Sequence, residues 1–219
     1  MSSARRSLCR RAVLAVAAAV LLGGCFTGER PRLVEATLET GDANVDAVLA
    51  LLGTAPDPVF TGRYRFTAPA PDGEVEGMGT VAQDGARRRS VTVAGARATL
   101  RFLVTRDGSR TCELPDGPCA DGLDASRLSD LQLTVDFYGA SAAAQLRRDA
   151  AQRVAPTTPS TETLAARSAT CVAVPLSGGT STYCALESGA LARLEAADKT
   201  ITLIHYEPTV RERAFSEPG

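Results

Sequence analysis

The strongest constraint on the fold is a succession of short segments in which apolar and polar residues alternate, separated by tight turns. Between residues 60 and 67, Phe and Tyr side chains fall on one face and Arg side chains on the other, a period of two that predicts a half-buried strand. Asp84-Gly85 and Asp107-Gly108 are typical of hairpin turns. Because such connections are too short for crossover helices, the sheet is predicted to be antiparallel. Strands are predicted at 60–67, 74–82, 87–93, 98–105, 169–175, 181–187, 190–195 and 200–206.

Helical segments precede and interrupt these strands. Asp42 or Asn44 can cap a first helix. Its apolar residues recur at helical spacing and share one face. They are Val45, Val48, Leu49 and Leu52. A second helix is predicted over about 139–153, residues 125–138 fit no single pattern, and 154–163, with two prolines and several threonines, is predicted to be an exposed loop.

The first 24 residues have the layout of an export signal. The basic end contains Arg5, Arg6, Arg10 and Arg11. An apolar run follows over 12–22, and small residues lead to Cys25. The run is about half of the roughly 20 residues that a membrane-spanning helix needs, so a retained transmembrane anchor is the weaker interpretation.

The end of this segment, Leu22-Gly23-Gly24-Cys25, resembles a bacterial lipobox. The resemblance implies a diacylglycerol thioether on Cys25 and cleavage between Gly24 and Cys25. It also implies a location at the extracytoplasmic face of the cell membrane, since two acyl chains anchor a protein stably. A plain signal peptide with an incidental cysteine stays open as the other interpretation. The paired arginines leave open export by the twin-arginine route rather than the general secretory route.

The charge balance excludes two classes of partner. Removal of four of the 24 basic residues with the signal leaves 20 basic and 25 acidic residues. An acidic chain without clustered positive charge is not predicted to bind nucleic acid. The same balance argues against a polybasic patch for anionic lipids.

The cysteines agree with export. Cys9 leaves with the signal and Cys25 is the lipidation site, which leaves an even number, typical of disulfides in exported proteins. The remaining four are Cys112, Cys119, Cys171 and Cys184. Four cysteines allow three pairings, of which nearest-neighbour pairing is the simplest, and the sequence does not choose among them. Zinc-type CxxC spacing is absent and the chain has a single histidine, so no metal and no cofactor are predicted.

No group of residues favours catalysis. A Ser-His-Asp triad would require His205, which falls in a predicted strand on one face with Ile201 and Leu203, so a structural role is the better interpretation. No GxSxG motif occurs, and Ser177-Gly178-Gly179 fits a hairpin turn better than a phosphate loop. The protein is therefore not predicted to be an enzyme.

Two further groups of charged residues are candidate binding sites. Arg87-Arg88-Arg89 could meet an acidic head group, but a solvated strand start is the favoured interpretation. Asp121 and Asp124 lack a calcium-loop pattern.

The order helix, strands, helical insert, strands resembles that of the LolA-like and LprG-like half-barrel lipoprotein carriers over residues 42–207. The resemblance implies an α+β fold in which a curved antiparallel sheet wraps around a few helices and encloses an apolar cavity. In this interpretation 1–24 is the signal peptide, 25–41 the lipidated tether, 42–207 a single domain and 208–219 a loose tail.

Non-catalytic binding or carriage of a lipid or other apolar ligand is the function that this resemblance implies. The candidate lining residues are Val45, Leu49, Leu52, Tyr64, Phe66 and Leu203. The alternative is a surface protein-interaction or scaffolding module with a filled core. A carrier needs an apolar void on the order of several hundred Å³, so cavity volume separates the two. The expected partners are the membrane and an apolar ligand, with protein partners left open.

Overall fold

The computed structural model describes residues 39–52, 58–70, 73–86, 88–95 and 98–217. The predicted signal peptide, the predicted lipidation site Cys25 and nearly all of the predicted tether lie outside the described residues. Within them, no helix combines the length and the apolar character required to cross a membrane.

Eleven strands dominate the described residues. The α-helices are α1 (Ala43–Leu52) and α2 (Ala140–Ala151), and short 3₁₀-helices span Ala125–Leu131 and Glu212–Phe215. The strands are β1 (Val59–Ala70), β2 (Gly73–Asp84), β3 (Arg88–Ala94), β4 (Thr99–Thr105), β5 (Gly108–Leu114), β6 (Cys119–Asp121), β7 (Thr158–Leu164), β8 (Arg167–Leu176), β9 (Gly179–Leu186), β10 (Leu191–Ala196) and β11 (Lys199–Glu207).

All eleven strands form one sheet in the order β6-β5-β4-β3-β2-β1-β11-β10-β9-β8-β7. Each strand pairs antiparallel with its neighbour, as the short turns predict. The pair β1–β11 joins the early and late strand runs, while β6 and β7 end the sheet. The antiparallel prediction is therefore confirmed.

The predicted fold class is wrong. The described residues form a β-rich open sheet with two α-helices, not an α+β half-barrel wrapped around a few helices. Two segments account for much of the difference. Residues 125–138 form a 3₁₀-helix and turns, and the predicted loop 154–163 contributes the edge strand β7. Pro159 is tolerated there because an edge strand leaves one side of its backbone unpaired.

Helix α1 is held in place by its cap and its apolar face. Asp42 Oδ1 accepts hydrogen bonds from the backbone N–H groups of Asn44 and Val45, which satisfies two donors of the first turn. The predicted apolar face is buried, and α1 contacts α2, β8 and β9. The two helices thus cover one face of the sheet at its β8–β9 region.

The C-terminal segment is docked on the sheet and differs from the loose tail that was predicted. The 3₁₀-helix Glu212–Phe215 contacts β3 and β4, and Phe215 is buried. Ser90 and Leu103 are paired across β3 and β4 and are also buried. This buried aromatic anchor explains why a largely polar segment lies against the sheet.

Two disulfides follow the nearest-neighbour pairing. Cys112 is bonded to Cys119, and Cys171 to Cys184. Each bond joins residues that lie directly opposite on adjacent strands, β5–β6 and β8–β9. Glu162 lies beside the second disulfide, but both sulfur atoms are bonded to each other and neither is a thiolate ligand.

Candidate functional site

The six residues predicted to line a cavity are part of the packed core. All are buried and belong to one contiguous hydrophobic cluster. Their exposed fractions are Val45 0%, Leu49 2%, Leu52 5%, Tyr64 0%, Phe66 2% and Leu203 1%. The structure therefore brings these six residues together, but they pack against other core residues and do not line a cavity.

Glycines in β1 and β2 show how closely this core is packed. A Cβ atom at Gly77 would lie 2.1 Å from Phe66 Cε2, and one at Gly62 would lie 2.9 Å from Tyr64 Cε2 and 3.1 Å from Leu203 Cδ1. The aromatic rings thus lie directly on the strand backbone. Around these predicted lining residues, protein atoms fill the space next to the sheet.

A pocket of about 230 Å³ opens at one end of this core. We call it the Arg89–Tyr138 pocket. It is lined by Leu52, Pro58, Phe60, Gln83, Ala86, Arg89, Asp136, Tyr138, Gly139, Ala140 and Gly189. Of the six predicted lining residues, Leu52 alone borders this pocket.

Sheet register builds one wall of the pocket. Phe60 on β1 pairs with Gln83 on β2, and Gln83 pairs with Arg89 on β3. Directly opposed residues on adjacent strands project from the same face, so these three side chains form a row. The facing wall comes from Leu52 at the end of α1 and from Asp136 and Tyr138 before α2.

Five aromatic residues are linked by ring contacts, and two of them, Phe60 and Tyr138, line the pocket. The ring of Phe60 lies 5.9 Å from Tyr138 in an edge contact and 5.9 Å from Tyr206 in a stacked contact. Phe137 makes edge contacts with Tyr64 at 5.2 Å and with Tyr138 at 5.7 Å. Such contacts rigidify the rings, since edge and offset geometries are the favoured ones.

The polar side chains of the pocket are one cation, one anion, one phenol and one amide, those of Arg89, Asp136, Tyr138 and Gln83. Burial raises the pKa of Tyr138, while the charge of Arg89 and a hydrogen bond with it act in the opposite direction. Arg89 Nε is buried and has no hydrogen-bond partner among the described residues. Ser141 Oγ donates to Asp136 Oδ1 at 2.6 Å.

The arginine triplet does not act as one patch. Arg87 lies outside the described residues, whereas Arg88 and Arg89 project from opposite faces of β3, as the period of two requires. Arg88 pairs with Asp84 and Glu212 and covers the Phe215 ring at 4.6 Å. Of the two described arginines, Arg89 lines the pocket and Arg88 does not.

The other candidates of the sequence lie apart from the pocket. His205 is exposed and its Nε2 lies 3.0 Å from Glu207 Oε1, a hydrogen bond that lowers the pKa of Glu207. Asp121 is exposed beside Arg110, and Asp124 accepts from Ser126 Oγ. Ser177 and Gly178 form the turn between β8 and β9.

Comparison with known proteins adds a likeness of structure alone. No family model and no curated protein matches the chain. Among solved structures, the chain is similar to the crystal structure of MucB, with 16% sequence identity and a TM-score of 0.40 over 81% of this chain and 64% of the MucB chain. The alignment therefore spans less than two thirds of MucB, and a likeness this distant carries no functional argument.

Proposed function

We propose that the protein is a non-catalytic interaction module that a lipid on Cys25 holds at the extracytoplasmic face of the cell membrane. The N-terminal sequence supports export and anchoring, and the paired cysteines agree with an oxidising compartment. The module binds a partner protein through the Arg89–Tyr138 pocket.

The observation that carries this proposal is the contrast between core and pocket. The residues expected to line an acyl-chain cavity are packed against one another, whereas a pocket of about 230 Å³ opens at the surface. Small-molecule sites usually enclose about 300–1,000 Å³, so this pocket is better matched to a single side chain. Aromatic residues and arginine are also the types enriched at interface hot spots.

Lipid carriage is the hypothesis that this contrast disfavours. A lipid tail would have to displace Tyr64, Phe66 or Leu203 from contacts that leave each of them at most 2% exposed. Opening such a core costs both buried apolar area and packing. A partner that uses the pocket requires no such opening.

Site-specific photocross-linking in intact cells of the source organism tests the proposal. A benzophenone amino acid replaces Ala140, an exposed residue at the pocket, in the full-length lipidated chain. The matched control replaces Thr161, an exposed residue of the edge strand β7. We expect discrete cross-linked protein bands from position 140 and not from position 161. Equal labelling at both positions, or no protein adduct at 140, would contradict the proposal.

A further inference from the structure

One loop of the described residues exposes apolar side chains instead of burying them. Val154, Ala155 and Pro156 follow one another between α2 and β7, and all three are exposed. Val154 is 64% exposed, compared with 42% for Val59, the other exposed large hydrophobic residue of the described chain. A single exposed apolar residue needs no explanation, but three in succession form a small apolar tip. We call residues 154–156 the apolar loop.

Hydrogen bonds hold the backbone of this loop in place. The Val154 N–H donates to the carbonyl oxygen of Pro175 on β8 at 3.0 Å. Directly after the loop, Thr157 Oγ1 donates to Asp42 Oδ1 at 2.9 Å and accepts from Asn44 Nδ2 at 3.0 Å. The exposed side chains are therefore presented on an anchored backbone, so a contact through them costs little conformational entropy.

The same hydrogen bonds place the apolar loop beside the point where the chain enters the domain. Asp42 and Asn44 stand at the start of α1, and the first described residue, Glu39, lies just before them. Position 39 follows the predicted lipidation site Cys25 by 14 positions, so even a fully extended connection spans at most about 50 Å. A chain anchored through Cys25 therefore joins the domain next to the apolar loop.

The Arg89–Tyr138 pocket lies at the opposite end of the two helices. Helices α1 and α2 run antiparallel, because the start of α1 contacts the residues after α2, whereas Leu52 at the end of α1 lies beside Gly139 before α2. Helix α2 has 12 residues and is about 18 Å long. The pocket and the apolar loop are thus separated by the length of α2.

The polar groups that border the loop satisfy one another. Asp42 Oδ2 lies 3.6 Å from Arg153 Nε, and Asp42 also accepts from Thr157. What the loop offers to a partner is therefore apolar surface, which does not require an anionic lipid. A contact of this size is too small to hold a protein on a membrane from free solution. A tethered contact needs less affinity, because the tether makes its formation intramolecular.

We propose that the apolar loop rests in the interfacial region of the bilayer that holds the lipid on Cys25. The inference rests on the proposed anchoring and adds a second contact with the membrane, made by the protein itself. This contact orients the domain. The Arg89–Tyr138 pocket, at the far end of α2, then opens toward the aqueous side, where a partner protein can reach it.

Two spin-labelled variants of the full-length acylated protein in phosphatidylcholine nanodiscs test the inference. Val154→Cys places the label on the apolar loop, and Ala140→Cys, the matched control, places it at the other end of α2. The four cysteines after Cys25 are disulfide-bonded and Cys25 is acylated, so the label reacts with the introduced thiol. Power-saturation EPR measures how often each label collides with a water-soluble nickel chelate, which the bilayer excludes.

We expect at least threefold fewer collisions with the nickel chelate for the label at position 154 than for the label at position 140. Adding Ala155→Asp to the Val154→Cys variant should remove this protection, because a carboxylate resists transfer out of water. Thr161→Asp, at an exposed residue of β7, is the control for the added charge and should leave the protection unchanged. Urea unfolding of each variant confirms that the fold is retained.

Collisions at position 154 that are as frequent as those at position 140 would overturn the inference, as would protection that Ala155→Asp leaves intact. This failure is distinguishable from failure of the proposed function. If the loop is unprotected while Cys25 is acylated and position 140 still cross-links a partner protein, the anchored module stands and its second membrane contact does not. A chain without acyl groups on Cys25 would overturn both.

Discussion

Tyr64 and Tyr183 are both fully buried, but only one of their hydroxyl groups has a hydrogen-bond partner among the described residues. Tyr183 Oη donates to Asp149 Oδ2 at 2.5 Å, which ties β9 to helix α2. Tyr64 Oη is buried without a hydrogen-bond partner among the described residues. Burial raises the pKa of both phenols, and the neighbouring Asp149 raises that of Tyr183 further. Both hydroxyls are therefore neutral at pH 7.

Removal of the two hydroxyls should change stability in opposite directions. We expect Tyr64→Phe to raise the free energy of unfolding by about 1 kcal/mol, since it removes an unsatisfied buried group. Tyr183→Phe should lower it by about 1.5–3 kcal/mol, because a hydrogen bond to a charged partner is lost. Urea unfolding with the disulfides intact measures both. A clear destabilisation by Tyr64→Phe would contradict this prediction and show that the Tyr64 hydroxyl makes a stabilising hydrogen bond.

Gly77 is the most sterically constrained of the glycines that support the aromatic rings. Its Cβ position is 2.1 Å from Phe66 Cε2 and 2.9 Å from the Ala94 carbonyl oxygen. Gly77→Ala must therefore displace the ring or the strand, and overpacking of this kind costs about 1–3 kcal/mol. Gly178→Ala is the matched control, because nothing lies within 4 Å of its Cβ position. Urea unfolding of both variants should separate them, and equal stability would contradict close packing at Phe66.

At the scale of the element, helix α1 depends on one carboxylate. Asp42 caps the helix, accepts from Thr157 Oγ1 at 2.9 Å and pairs with Arg153 at 3.6 Å. Burial acts to raise the pKa of Asp42, but these hydrogen bonds and the Arg153 charge outweigh it and hold the pKa below the ordinary 3.8. The ionised form is thus the one that stabilises the fold.

This gives a prediction with a definite sign. The pKa of Asp42 is lowered by folding, so its contribution is present above the unfolded value near 3.8 and is lost as pH falls through the folded value. Asp42→Ala should lower the free energy of unfolding at pH 7 by about 1–2 kcal/mol, the range for loss of a cap. The difference in the free energy of unfolding between the wild type and Asp42→Ala should become smaller when urea unfolding is repeated near pH 3. A difference that grows at low pH would contradict this assignment.

The C-terminal segment makes a second prediction about an element. Phe215 is 8% exposed and lies under the Arg88 guanidinium. Phe215→Ala should release the segment from β3 and β4, lower the free energy of unfolding by about 3 kcal/mol and increase proteolysis within 208–217. Val154→Ala serves as the control, because Val154 is 64% exposed and should change neither measurement. Unchanged proteolysis of the Phe215 variant would mean that the ion pairs of Arg88 suffice to hold the segment.

One element shows why a strand face cannot always be read from the sequence. Period two predicts that His205 shares a face with Leu203, but Tyr64 pairs with Leu203 while Arg63 pairs with His205. This β-bulge leaves Ile204 without a partner on β1 and reverses the two faces of β11 beyond it. Tyr206 therefore pairs with Gly62 and stacks on Phe60, and His205 turns outward.

At the scale of the whole molecule, local patterns predicted most of the helices and strands, but not the edge strand β7 or the surface pocket. Hairpin turns and alternation predicted the antiparallel strands, the cap and apolar spacing predicted α1, and an Ala-, Leu- and Arg-rich composition predicted α2. The pocket depends on the pairing of β1, β2 and β3 and on the end of segment 125–138, whose apolar residues fit neither a helical nor a strand period. No local signal distinguishes Arg89 from Arg88, although the strand period does place them on opposite faces.

The same limit explains the wrong fold class. The order of the elements led to the prediction that a curved sheet encloses several helices. That order does not show that residues 125–138 form a 3₁₀-helix and turns instead of a longer helix. It also gave no means of telling packed apolar residues from cavity-lining ones, since both are buried and hydrophobic. Contacts such as those of Gly62 with Tyr64 and Leu203 decide this, and they exist only after folding.

Mass spectrometry of the protein extracted from membranes of its source organism tests the filled core most directly. The mass in denaturing spectra should equal that of the polypeptide from Cys25 to the C-terminus with its acyl groups and two disulfides. The mass in native spectra should be the same. That equality is the result the account predicts, because no ligand occupies the interior. A native mass that exceeds the denatured one by a lipid in stoichiometric amount would contradict it and restore carriage as the function.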